Sequence, residues 1–488
     1  MMGSPRRRSI EGRPSAAGHR SRPNLEGLES RLLLYATLGG NWVYGSRITY
    51  SFVPDGTSIG GTPSSLFQAL NARYPTSVWV EEFHEAAAVW QTIANINLVM
   101  VTDDGTPMGS TGNQQGDSRF GDIRFGAIPL ASGTLGAAYS PPQINGGTLA
   151  GDVILNATAS WMIDAHFDLK TVAIHEIGHA LGMGHSAISQ AVMFSYYTTM
   201  KQKLDPDDTA GLRSIYGWRV YDYFNRDGRS NSMYWDAVSL DGARNASNQI
   251  IIPGLDLTTP GQTAWYWVTV PATNAGRIIF KAQSSTLSLL SPRLTIYDAS
   301  MNMLQDEKTT NFGDTAVVTL PGVSAGQGYF IRVASTGWGS TGSYGVLVNF
   351  GTSPMPVIPP PYTSVAAQPG LGGGLNTMTA FAGAGHEHGE ETVTIGGLSG
   401  WGDALRMPGT APVSPRAAAF YAAASAPSGR AAEARLLRSA VADVSAASRP
   451  MDVGASPWAP EAGGEAAPQR PARPAAWRAL ARRRGVAG

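Results

Sequence analysis

Residues 175–185 read His175-Glu176-Ile177-Gly178-His179-Ala180-Leu181-Gly182-Met183-Gly184-His185, which gathers three imidazoles and a carboxylate into one short stretch. Two histidines four positions apart on a helix lie one turn apart on the same face, so both rings can reach a single ion. Gly182 tolerates backbone angles that other residues resist, so the chain can leave the helix there and swing His185 round as a third ligand. Three histidines on a tetrahedral zinc leave one corner for water, which distinguishes a catalytic site from a closed structural one. Glu176, beside the first ligand, is placed to take a proton from that water. The chain has eight histidines in 488 residues, and three of them fall here in ligand register, which argues against a buried helix with incidental histidines.

The chain is long enough for two or three domains. Its 36 basic and 36 acidic residues cancel, so no summed field draws it to nucleic acid or to an anionic membrane. Cysteine is absent. That excludes disulfides, thiolate zinc sites, thiol nucleophiles and a cysteine latency switch on the metal, and leaves bound calcium as a source of rigidity. No run of about twenty apolar residues exists to span a membrane. Arg6-Arg7-Arg8 makes the N-terminus basic, but Leu32-Leu33-Leu34-Tyr35-Ala36 is too short for the core of an ordinary signal peptide. Residues 1–40 therefore read as a targeting or disordered arm.

Order is expected from about Trp42. Arg47 to Val53 alternates polar and apolar residues, a half-buried strand ended by Pro54-Asp55-Gly56. Ser77 to Ile96 reads as an amphipathic helix through Val80, Phe83, Ala87, Trp90 and Ile93. Strands follow at Asn97–Thr102, Gly121–Gly126, Thr134–Tyr139 and Asp152–Leu155, and then the histidine helix at Leu169–Gly182. Leu204-Asp205-Pro206-Asp207-Asp208 opens a last helix, with acids where the dipole favours them, and Tyr216-Gly217 stops it.

This order and its motifs resemble the matrixin branch of the metzincin zinc peptidases, over about Arg47 to Gly217. The resemblance rests on Ala87-Ala88-Val89-Trp90, Gly121-Asp122-Ile123-Arg124-Phe125, Gly133 to Tyr139, Gly151 to Asn156, His175 to Ser186 and Leu204-x-x-Asp207-Asp208-x-x-Gly211. It also places Met193, within Ala191-Val192-Met193, as the methionine of a Met-turn beneath the zinc. The resemblance implies one catalytic zinc on His175, His179 and His185, with Glu176 as general base. Matrixins with a structural zinc hold it partly by histidines, and the matching positions here are Ala137 and Ile154, so a single zinc is expected. Asp122 and Asp152, with carbonyls around Gly146-Gly147, are candidate calcium oxygens, the alternative being ordinary loop acids. Substrate is expected to lie extended along Leu135–Tyr139, which includes Ala137 and Tyr139, by strand addition. Phe194-Ser195-Tyr196-Tyr197 would wall the pocket beside the zinc, and Thr171 would lie near its floor. No recognisable inhibitory propeptide is expected ahead of the first strand.

From Tyr221 to Phe350 short alternating runs between turn clusters, such as Trp265–Val270, Leu294–Tyr297 and Tyr329–Val333, argue for an antiparallel sandwich. Their order resembles bacterial pre-peptidase C-terminal domains, which implies docking to cell-surface or matrix components. Leu25 to Leu34 resembles a segment near the start of exported proteins of planctomycete-type bacteria. From Thr352 the chain turns Pro-, Ala-, Gly- and Arg-rich, with too few large apolar residues to offset chain entropy. His386-Glu387-His388 reads as a solvated patch.

The expectation is an α+β chain: 1–40 an arm, 41–217 a metzincin catalytic domain with a twisted mixed sheet, 218–352 an all-β sandwich, and 353–488 a mostly disordered tail. The expected activity is zinc-dependent cleavage of protein or peptide substrates by a secreted or surface-bound bacterial monomer. The competing reading is a surface adhesion protein in which the sandwich carries the main role. The intact Glu176 favours the first, because a binding fold has no use for it. A zinc hydrolase acting on a non-peptide bond is a third reading that no residue supports.

Overall fold

The structure, a computed structural model, describes residues 35–337, 341–362, 364–368 and 378–383. The Leu25–Leu34 segment, the basic arm, His386-Glu387-His388 and most of the expected disordered tail lie outside these residues.

The N-terminal half runs β1 (Ile48–Phe52), β2 (Ser58–Ile59), β3 (Thr62–Pro63), α1 (Leu66–Asn71), α2 (Thr76–Ile93), β4 (Leu98–Met100), β5 (Asn113–Gln115), β6 (Ile123–Ile128), β7 (Thr134–Tyr139), β8 (Val153–Asn156), α3 (Leu169–Ala180), β9 (Tyr196–Tyr197) and α4 (Pro206–Tyr216). The strands and helices expected from periodicity all occur. The small β2–β3 hairpin, α1 and β5 were not legible, being too short to carry a period. α2 stops at Ile93 rather than Ile96 because Ala94 turns extended, at φ −135° and ψ 167°. β4 is shorter than Asn97–Thr102, and α3 ends at Ala180. α4 starts on a full capping box between Asp205 and Asp208, with Pro206 in its first turn, so the acids there do more than answer the helix dipole.

These strands form a mixed sheet in the order β4-β1-β6-β8-β7, extended by two further strands described below. β1, β4, β6 and β8 run parallel, and β7 is antiparallel to β8. α2 and α3 cover one face, and their Trp79, Phe83, Trp90, Val172 and Ile177 share a core with Ile48, Tyr50, Phe125 and Leu155 of the sheet.

Beyond Gly217 the strands are β10 (Val238–Ser239), β11 (Gln249–Leu257), β12 (Ala264–Thr269), β13 (Arg277–Gln283), β14 (Pro292–Asp298), β15 (Met303–Lys308), β16 (Thr315–Pro321), β17 (Gly328–Ser335) and β18 (Gly342–Asn349). They form a five-stranded sheet, β10-β12-β17-β14-β15, and a four-stranded sheet, β11-β18-β13-β16. Both contribute to one core of Ile250, Tyr266, Phe280, Ile296, Ile331 and Val346, and the Tyr266 and Tyr344 hydroxyls hydrogen-bond between the sheets at 2.7 Å.

The two cores meet through the polar side chains of Gln91 and Arg219. Gln91 of α2 donates to Thr341 O at 2.7 Å and accepts from the Leu98 and Leu289 amides. Arg219 donates to the carbonyls of Gln91 and Ile96, to Asn97 Oδ1 and to Asp256.

Two segments expected to be irregular are ordered. Residues 36–38 run beside the histidine loop: Leu38 N donates to Gly182 O and Gly184 N to Ala36 O, both at 2.8 Å. After residue 353 the chain adds β19 (Val365–Ala366), paired with β5, and β20 (Met378–Gly383). β20 lies antiparallel to β7 and parallel to β9, and completes the seven-stranded order β4-β1-β6-β8-β7-β20-β9. A tail poor in large apolar residues cannot fold alone, but a single strand can borrow both hydrogen bonds and core from an existing sheet edge.

Candidate active site

α3 begins where Asp168 caps it: its carboxylate accepts from Thr171 N at 2.9 Å and from Thr171 Oγ1 at 2.6 Å. The helix is buried almost throughout. It is braced by α2, whose Trp90 indole N–H donates to Ile174 O at 2.8 Å. Gly178 lets two neighbours close in, for a methyl group there would collide with the Met193 sulfur and stand 2.9 Å from Trp90. The helix ends at Ala180, two residues before the expected Gly182, and the chain turns away at Gly182, which has φ +102° and no room for a side chain, a Cβ lying 2.5 Å from Gly40 O.

The turn returns His185 to the helix. His179 Nε2 stands 3.0 Å from His175 Nε2 and 3.2 Å from His185 Nε2. Nδ1 of His175 lies 2.8 Å from Val192 O, and Nδ1 of His179 lies 2.8 Å from Met183 O. A carbonyl oxygen only accepts, so both Nδ1 atoms carry the proton and both Nε2 atoms present lone pairs. Lone pairs facing each other at this distance repel unless a cation sits among them. Burial keeps all three rings neutral: it pushes His175 well below the usual histidine range, His179 to about 3 and His185 to about 4. Among the described residues these three histidines are the group that could hold a metal ion, their ligand atoms lying within 4.8 Å of one another. The donor set, neutral imidazoles locked by hydrogen bonds from their far nitrogens, fits zinc.

Glu176 is fully buried, and neither carboxylate oxygen has a hydrogen-bond partner among the described residues. Burial raises its pKa well above the ordinary carboxylate value. Its Oε1 occupies the space where Gly136 of β7 lacks a side chain, 2.6 Å from a Cβ built there.

Met193 lies under the helix against Gly178. Its loop is pinned from α4: the Val192 and Met193 amides donate to Asp208 at 2.8 and 3.1 Å, and Met193 O accepts from Ser186 N at 2.8 Å. Asp208 was visible in the sequence only as an acid at a helix start. The capping-box pattern signals the cap but not the second partner.

The remaining sequence candidates divide. Thr171 is buried and holds Asp168 and the Lys201 amide, and the Tyr197 hydroxyl accepts from the Asp168 amide at 3.0 Å. Both tie down the start of α3, and Tyr197 also lines β9 beside β20. Ala137 and Tyr139 point to a satellite core with Ile154 and Met378, on the face away from the helix, while their backbones pair with β20. Ala137 and Ile154 are cross-strand partners and both apolar. Asp122 accepts from the Thr49 and Gly116 amides, and burial raises it to about 6. Asp152 accepts from the Arg124 amide, and its other oxygen has no partner. Neither belongs to a metal-binding group among the described residues.

One residue in the site had no sequence signal: Phe381 of β20, whose ring stacks on His175 at 3.9 Å and 20°.

Comparison with known proteins places this geometry. Residues 67–217 match the family model for matrixin. Metalloendoproteinase 2-MMP of Arabidopsis thaliana is 29% identical over 205 residues, covering 38% of this chain and 50% of that protein. Karilysin of Tannerella forsythia is 43% identical over 88 residues, 18% of each chain. Human matrix metalloproteinase-27 is 43% identical over 89 residues, 17% of each. The chain thus spans half or less of the length of these relatives. Helix, ligand turn, methionine loop and capped α4 all fall inside residues 67–217, the stretch of this chain that matches the matrixin family model.

Proposed function

We propose that this protein is a zinc-dependent endopeptidase acting on extracellular proteins, with His175, His179 and His185 as ligands and Glu176 as general base. The observation that carries this reading is the convergence of imidazole lone pairs beside a buried carboxylate that no other group uses. A structural site would have no need to keep Glu176 unpartnered. Zinc in this site supplies a Lewis acid that acidifies water and polarises a peptide carbonyl. Glu176 accepts the proton of the attacking water on a carboxylate oxygen and delivers it to the departing amide nitrogen. Its dry surroundings raise its proton affinity above that of an ordinary carboxylate, which favours taking up a proton. The Val192 and Met183 carbonyls hold the ligand rings in one tautomer, and Met193 supports them from below. An extended substrate would take the edge of β7 that β20 occupies in the structure, with β9 bounding the cleft opposite. The sandwich is read as a docking module for surface or matrix components.

The relatives' names support a peptidase, and no helix among the described residues is long and apolar enough to cross a membrane. The test uses the full chain and its Glu176→Ala variant. Both should bind one zinc per chain, and only the wild type should cleave a denatured protein, with loss on chelation. Cleavage by Glu176→Ala at the wild-type rate would remove Glu176 from the mechanism. Absence of zinc from both proteins would remove the metal site.

A further inference from the structure

β20 occupies the cleft between β7 and β9. Its register on β7 is Met378 opposite Tyr139, Thr379 opposite Ala138, Ala380 opposite Ala137 and Phe381 opposite Gly136. On the other side Ala382 and Gly383 pair with Tyr196 and Tyr197. An extended segment taken up as an added strand, with one side chain sunk in a pocket, is a mode of peptide binding. Phe381 is that side chain: it is 2% exposed, stacks on His175 and joins the core of the histidine helix. The register has a chemical consequence. Phe381 lies opposite Gly136, and Gly136 is the residue whose missing side chain accommodates the Glu176 carboxylate. The register sets Phe381 opposite the strand position that the Glu176 carboxylate adjoins, with its ring on the first histidine. Small residues, Ala380 and Ala382, flank Phe381.

The segment also reaches the cleft on a short tether. Gln368 O accepts from Gly147 N at 3.2 Å, so the chain is anchored on the same half of the molecule with only residues 369–377 before Met378. A short tether gives a high effective concentration.

We propose that the Ala380–Phe381 peptide bond of this chain is a substrate of its own active site, a proposal that rests on the peptidase reading above. Water adds across the bond. The Ala380 carbonyl carbon gains the oxygen and becomes a carboxylate, the carbon–nitrogen bond breaks, and the Phe381 nitrogen leaves as an amine with the transferred proton. The products are residues 1–380 and 381–488, no other reactant being consumed. Release of the second product frees the part of the cleft that Phe381, Ala382 and Gly383 held between β7 and β9.

The experiment uses metal-free full-length chain, its Glu176→Ala variant and its Phe381→Asp variant. Zinc is added, intact mass and new N-termini are followed, and denatured casein is supplied in parallel. The expected result is a new N-terminus at Phe381, formed at a rate independent of chain concentration. That product should be absent in Glu176→Ala and at least tenfold slower in Phe381→Asp. If the wild type degrades casein while its 380–381 bond stays intact, the proposal is overturned and the peptidase reading stands. If only Phe381→Asp degrades casein, β20 is a plug rather than a substrate, and the proposal is again overturned. If no form degrades casein or itself, the peptidase reading fails and takes the proposal with it.

Discussion

Asp208 and His175 are joined through one residue: the Val192 amide donates to Asp208 at 2.8 Å, and the Val192 carbonyl lies 2.8 Å from Nδ1 of His175. The carboxylate at the start of α4 thereby sets the tautomer and tilt of the first metal ligand without touching it. Outer partners of this kind typically contribute about 10–100-fold to metal affinity. Asp208→Ala should weaken zinc binding by about that factor, measured by competition with a chelator. Asp208→Asn should fall between, since an amide oxygen can replace only one of the two accepting atoms.

Gly178 is the point of closest approach between α3, Met193 and Trp90. Ala is the better helix former, yet Gly178→Ala should destabilise the fold by about 1–3 kcal/mol because the added methyl overfills a packed site. Denaturant midpoints of the chelated protein would show it. Combined with Met193→Ala, which removes the obstructing sulfur, the loss should be less than the sum of the two single changes.

His84 on α2 is largely buried against the Tyr50 hydroxyl, and burial lowers its pKa to about 4. The unfolded chain binds its proton near the ordinary value of 6.5. Its stabilising contribution is thus complete above pH 6.5 and is lost as pH falls toward 4. The loss is on the order of 3 kcal/mol. Urea midpoints measured between pH 7 and pH 4 should fall less steeply in His84→Asn than in the parent, both carrying Glu176→Ala to prevent proteolysis. Parallel curves for the two proteins would count against this assignment.

Arg219 is the hub between the two halves, with its side chain 5% exposed and its ion partner Asp256 13% exposed. Arg219→Ala strands Asp256 and three acceptors, and should cost about 3 kcal/mol. Because both cores are otherwise intact, calorimetry of the variant should resolve two transitions where the parent shows one.

Much of this architecture could be read from residue types. The helix of His175 and His179, the exit at Gly182, Met193 and the capped start at Asp205 are local signals, each written within a few residues, and they appear where the pattern put them. What could not be read is non-local. Gly178 looks like a weak helix residue until Met193 and Trp90 are seen against it. Gly136 is an ordinary strand glycine until Glu176 fills its vacancy. The resemblance placed Thr171 and Tyr197 beside the pocket, but no residue pattern announced that their hydroxyls hold the first turn of α3 through Asp168. Met378–Gly383 has no periodicity long enough to declare a strand, and it becomes one because β7 and β9 offer unpaired backbone groups on either side.

That last pairing bears on how the protein behaves in a tube. While β20 is seated, β7 has neighbours on both sides and presents no free backbone to other molecules. Removing β20 leaves a row of bare amides and carbonyls, the usual template for sheet-to-sheet association between copies. Truncation before Met378 is therefore expected to lower solubility at high protein concentration, and an added peptide ligand for the cleft should restore it. The same strand that meets the chemistry is also the cover that keeps neighbouring molecules apart.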